Sequence, residues 1–145
     1  MHSHQKKSVS VVWFKRDLRS SMNHALLQGA GSEWPVLPLY IVEPEYWSQP
    51  DASYRHYQFM SECLSELRDD LAARGQPLIL RVGAARDVLD QLSNQVQIRL
   101  IFSHEETGNA WTFERDKAVR AWCRERGVPW TEIWQNGVVR RLKNR

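Results

Sequence analysis

Short runs of apolar residues alternate along this chain with longer stretches in which apolar residues return once per helical turn. Val9–Phe14 (VSVVWF) reads as a buried strand. Met22–Gly31 reads as a short helix, with Ser20 or Ser21 as its cap and Gly29 or Gly31 as its stop. Pro35–Val42 is a second strand, entered through proline. Tyr54–Arg74 is a long helix whose Met60, Leu64, Leu67 and Leu71 share one face, and Gly75 ends it. Pro77–Val82 is a third strand. Ala84–Leu92 is a helix that turns Val88, Leu89 and Leu92 inward. Ile98–Ser103 is a fourth strand. Asn109–Arg126 is a helix carrying Trp111, Ala118, Val119 and Trp122, stopped at Gly127, and Pro129–Trp134 is a fifth, weaker strand.

Strand and helix in strict alternation imply a parallel sheet with helices on both faces. The strands are apolar runs, as expected of strands buried on both sides. The fold class is therefore α/β: a doubly wound, five-stranded, Rossmann-like sheet of order 3-2-1-4-5. Residues 1–7 read as a disordered arm, 8–135 as the domain and 136–145 as the start of a linker. No closing element follows, which reads as a piece of a longer protein.

Composition changes this picture little. The 145 residues are 42% apolar and 26% charged, enough for one domain with a real core. A net charge of +3 is too small to argue for nucleic acid. The basic tail, Arg140, Arg141, Lys143 and Arg145, reads as a solvated linker before it reads as a nucleic-acid patch. Cys63 and Cys123 lack metal or CxxC spacing and read as reduced thiols in a cytoplasmic protein. No run reaches the ~18 apolar residues of a membrane span, and the start MHSHQKKS is no secretory signal. His2 and His4 belong to the arm.

In such a sheet, ligands bind beyond the carboxyl ends of the strands, where strand order reverses. Here that is between strands one and four. The two loops are KRDLRS and SHEETGN. Arg16 and Arg19 offer forked donors to an anion. Glu105 and Glu106 accept from ring N–H or hydroxyl groups. Gly108 permits close backbone approach, and Asn109 opens a helix whose free N–H groups favour a polar group. A local reading stands equally beside this one, with Arg16 paired to Asp17 and Asn109 acting only as a cap. Neither GxGxxG after strand one nor a phosphate-binding P-loop is present, and no nucleophile has a base beside it. An autonomous enzyme is not suggested. Of seven tryptophans, Trp13, Trp111 and Trp122 belong to the core, and Trp47 is the best placed to touch a ligand.

The stretch VVWFKRDLR…NHAL resembles the opening signature of the DNA photolyase/cryptochrome family, WFRxDLRxxDNxAL. VLPLYIVEPEYW is similar to that family's second strand and loop. SYRHYQFMSECLSELRDDLAARGQPLILRVG is similar to its long helix and third strand, and SHEETGNAWTFERDKAVRAWC to the loop and helix after strand four. WTEIWQNGVVRRL resembles the end of its amino-terminal domain. Lys15 departs from the usual Arg, and Met22 from the usual Asp. The resemblance implies the antenna-binding domain of a deoxyribodipyrimidine photolyase, a flavoprotein lyase of DNA repair. In that family the amino-terminal domain holds a flavin, deazaflavin or methenyltetrahydrofolate. The chromophore passes blue-light energy to FAD in a separate helical domain, which splits pyrimidine dimers in DNA. The implied partners are that helical domain and, through it, DNA. The expected particle is a monomer with no membrane contact and no metal. The chain alone is expected not to be an enzyme. The resemblance carries Arg16, Glu43 and Arg55 into the antenna site, to which Glu105, Glu106, Gly108 and Asn109 are added. The loop after strand two has no His before His56, where some folate-binding members use one. A flavin-like antenna, or none, is equally open. The alternatives are a cryptochrome light receptor, a free-standing nucleotide-binding domain and an interaction module.

Overall fold

A computed structural model describes residues 6–15, 24–49, 54–106, 108–133 and 139–140. The elements follow the expected alternation: β1 (Lys7–Phe14), α1 (His24–Ala30), β2 (Val36–Val42), α2 (Pro44–Trp47), α3 (Tyr54–Ala73), β3 (Ile79–Val82), α4 (Ala85–Leu92), β4 (Val96–His104), α5 (Ala110–Arg126), β5 (Trp130–Ile133) and β6 (Val139–Arg140). The sheet order is β3-β2-β1-β4-β5-β6. The first five strands are parallel, in the expected order, and β1 lies at the reversal, between β2 and β4. Two elements are additional. The short helix α2 occupies what reads in sequence as a loop. The two-residue β6 pairs antiparallel with β5, inside the stretch read as linker.

The two faces of the sheet bury different residues of the same strands, because side chains alternate along a strand. Val9, Val11 and Trp13 of β1 join Leu39, Ile41 and Ile101 under α4 and α5, with Leu89, Val119 and Trp122 closing the layer. Val12 and Phe14 face the other way, with Tyr40, Phe102 and Ile133, under Ala25 and Leu26 of α1 and Leu67 and Leu71 of α3. Pro38 is tolerated inside β2 because pairing with β3 begins one residue later, at Leu39. Gly127 closes α5 in the left-handed region at φ 68°, as its place in the sequence implies.

Gly29 has a specific reason to be glycine. A Cβ there would come within 2.5 Å of Val12 Cγ2, so α1 rests directly on β1. That contact fixes α1 over the reversal strand, whose carboxyl end ramps into the site.

Candidate functional site

The functional geometry starts where the apolar register of β1 stops. Phe14 is the last core residue, and Lys15 turns over the sheet's carboxyl edge yet stays 9% exposed. Its Nζ lies 3.2 Å from Asp116 Oδ1 and 4.0 Å from Glu106 Oε1. The same ammonium sits 4.5 Å from the Trp13 ring centroid and 5.0 Å from that of Trp130. Ion pairs and ring faces together hold a cation that would otherwise lose its hydration uncompensated.

Arg115 of α5 is the hub. Its Nη1 donates to Glu43 Oε1 at 2.6 Å and its Nε to Asp116 Oδ1 at 2.7 Å, while Nη2 bonds Glu106 Oε1. The guanidinium lies over Trp13 and Trp111, with centroids at 5.1 and 5.6 Å. Among the described residues, these three carboxylates share the cations Lys15 and Arg115. Glu43 is buried beside them. Burial pushes its carboxyl up to about 7, against the pull of Arg115, and Glu106 adds to the rise. Its Oε1 is taken by Arg115, while Oε2 is buried with no hydrogen-bond partner among the described residues. Burial also raises Tyr40, to about 12, with Glu43 contributing.

Beside this network opens a cavity of about 450 Å³. Phe14, the last residue of β1, and Lys15 after it line the cavity with Tyr40 and Ile41 of β2, Glu43 just beyond β2, and Glu106 and Arg115. An aromatic wall is built by α2 and α3. Tyr46 packs on Trp111 at 5.6 Å and edge-on to Trp47 at 5.0 Å, and Trp47 meets Tyr57 edge-on at 5.2 Å. Met60 lies behind, and Phe59, 63% exposed, stands at the mouth. The dimensions and the mix of apolar wall with a few polar groups are those of a small-molecule site.

The sequence-derived residues divide. Glu43 and Glu106 meet at the cavity, and Trp47 lines it as expected. Glu105, Gly108 and Asn109 are not in its lining. Asn109 instead caps α5, with its Oδ1 accepting from Thr112 N at 3.0 Å. Gly108 lies so close to Thr112 that a Cβ would clash with its side chain. Arg16 and Arg19 lie outside the described residues, as does the side chain of Arg55 at the start of α3. The described end of the β1/β4 gap is filled by Lys15, Asp116 and Glu106, and the open space lies beside the ends of β1 and β2. Arg115 is absent from the sequence-derived set, although a signal exists. It lies one turn beyond Trp111 and one turn before Val119, a charge on the apolar stripe of α5. Among the described residues no cluster of His, Cys, Asp and Glu suits a metal, and no helix is long and apolar enough to cross a membrane.

The family model for DNA photolyase matches residues 10–142. The chain belongs to the DNA photolyase/cryptochrome family. A cryptochrome DASH of Solanum lycopersicum is 34% identical over 107 residues, covering 70% of this chain and 18% of that protein. The crystal structure of a photolyase from Sulfolobus tokodaii superposes with a TM-score of 0.74 at 30% identity, over 85% of this chain and 28% of that one. A Synechocystis cryptochrome superposes at 0.79 with 18% identity, over 92% of this chain and 28% of that one, which speaks for the fold. The chain thus spans less than a third of the length of these relatives.

Proposed function

We propose that this chain is the antenna-chromophore-binding α/β domain of a light-driven deoxyribodipyrimidine photolyase. The observation that carries the reading is the cavity beside the ends of β1 and β2, with its aromatic wall and a carboxylate oxygen, Glu43 Oε2, that has no partner among the described residues. A flat conjugated ring stacks favourably on Tyr46 and Trp47. Its polar edge would meet Glu43 and Arg115. A flavin-class ring, a deazaflavin or a folate fits this chemistry, and when bound it supplies light absorption and energy transfer. The Sulfolobus tokodaii photolyase is described with two FAD molecules and an implied novel light-harvesting cofactor, which favours a flavin. Arg16 and Arg55 belong to this proposal as cations flanking the ring, and Glu105, Gly108 and Asn109 as the frame of the β4–α5 turn.

The residues of this chain then bind, orient and shelter the ring. Arg115 holds Glu43 and Glu106 in place, and Lys15 ties the same network to the end of β1. The catalytic FAD, the helical domain that holds it and the DNA contact are assigned to the parent polypeptide, a cytoplasmic monomer. Two measurements test the reading. The chain titrated with FMN, lumiflavin or methenyltetrahydrofolate should quench the ring's fluorescence, and Trp47→Ala should weaken that binding. The chain alone, illuminated with pyrimidine-dimer DNA, should repair nothing. Repair by these 145 residues would refute the antenna role.

A further inference from the structure

We infer that a basic groove at the amino ends of the strands docks an extended acidic segment of another protein. The inference stands apart from the chromophore reading. The cavity opens at the carboxyl ends of β1 and β2, and this groove at the starts of β1 and β4. The groove has a volume of about 560 Å³. Lys6, Ser8, Ser93, Gln97, Arg99 and Arg126 give it a lining of hydrogen-bond donors, and no carboxylate among the described residues joins them.

Arg99 is placed there by a break in the sheet. Val9 pairs with Ile98 and Ser10 with Leu100, so Arg99 is an extra residue that β1 does not match. Ile98 and Ile101 consequently share the layer under α4 and α5, while Leu100 packs on the side of α1 and α3. The Arg99 side chain is exposed at this bulge. Its Nε donates to Ser8 Oγ at 3.1 Å, and its guanidinium carbon lies 5.0 Å from the ring centroid of Trp34, in the turn after α1. These two contacts orient the fork and leave both Nη groups without a hydrogen-bond partner among the described residues. Across the sheet, Lys6 Nζ donates to Ser93 O, just after α4, at 2.9 Å, and Arg126 at the end of α5 pairs with Asp90. Asp90 offsets Arg126, so Arg99 and Lys6 carry the attraction.

The spacing of the cations decides the occupant. Arg99 stands beside the layer of α1, and Lys6 and Arg126 beside that of α4 and α5. A compact anion reaches one end of such a groove. A run of single carboxylates laid across the amino edge of the sheet reaches both, and guanidinium and ammonium donors each suit a carboxylate.

The test is fluorescence anisotropy of labelled octaglutamate titrated with the chain at rising NaCl. Octaglutamate should bind, with an affinity that falls as salt rises. Arg99→Ala and Lys6→Ala, both at exposed positions, should each weaken binding at least about fivefold without disturbing the fold. Lys117→Ala removes the same charge from an exposed part of α5 outside the groove and should leave binding unchanged. Inorganic pyrophosphate, a compact anion, and octathymidylate, a nucleic-acid backbone, should displace the peptide only at about tenfold higher concentration or more. No binding of octaglutamate, a loss in Lys117→Ala equal to that in Arg99→Ala, or tighter binding of either competitor would overturn the inference.

Discussion

At the scale of single residues, the site depends on a balance of buried charge. Arg115 serves three carboxylates, so removing it takes a buried ion-pair partner from Glu43, Glu106 and Asp116 at once. Arg115→Met should cost about 3–5 kcal/mol in urea unfolding, well above a typical surface pair. Arg115→Lys should recover only part, because an ammonium cannot fork across three acceptors. Glu43 supplies a second prediction, in stability against pH. Its folded pKa of about 7 lies above the ordinary carboxylate value, so the folded state binds more protons than the unfolded chain in between. Its stabilising contribution is complete below about 4.5 and is lost as pH rises to about 7. Glu43→Gln should therefore gain about 1–3 kcal/mol relative to the parent between pH 5 and pH 8. Urea melts of both proteins at the two pH values would measure this. A difference that does not change with pH would show that the carboxyl is already ionised throughout.

At the scale of elements, α1 and α3 carry different burdens. Gly29 lets α1 lie against Val12, and Gly29→Ala should destabilise by about 1–3 kcal/mol through overpacking, even though Ala is the better helix former. Leu71 of α3 is fully buried, and Leu71→Ala should cost about 2–5 kcal/mol. Phe59, on the same helix at the cavity mouth, should change stability little when replaced by Ala, because most of its surface already meets water. Thermal melts of the three variants would rank them. These elements were legible because their periodicity is local. Leu64, Leu67 and Leu71 recur along one face of α3 whatever the rest of the molecule does. α2 was not legible, because a single turn of PEYW is too short to show a period. Neither was β6, whose two residues form a strand only because β5 offers them an edge.

At the scale of the whole molecule, the parallel sheet creates a crevice at its reversal, and the chain fills part of that crevice itself. Lys15, Asp116 and Glu106 occupy the described side of the β1/β4 gap where a nucleotide phosphate would lie in a free-standing nucleotide-binding domain. AMP and ATP should therefore produce no thermal shift. A shift of several degrees, lost in Lys15→Met, would show that the network opens for nucleotides.

What the sequence determined by itself was the architecture: five parallel strands in order, helices on both faces, the caps of α5 and the family signature. Those follow from alternation, periodicity and local backbone chemistry, which neighbouring residues decide among themselves. Glu43 and Glu106 stand out in the sequence through the family signature and the loop after strand four, but what they do together does not. Only the folded chain brings Arg115, 72 residues beyond Glu43, to within hydrogen-bond reach of it. Only there does Glu43 Oε2 stay without a hydrogen-bond partner among the described residues, since pairing depends on which side chains share a single buried volume. The described cavity beside the ends of β1 and β2 has the same origin: sequence names the residues at a sheet's edge, and packing decides which of them line an open space.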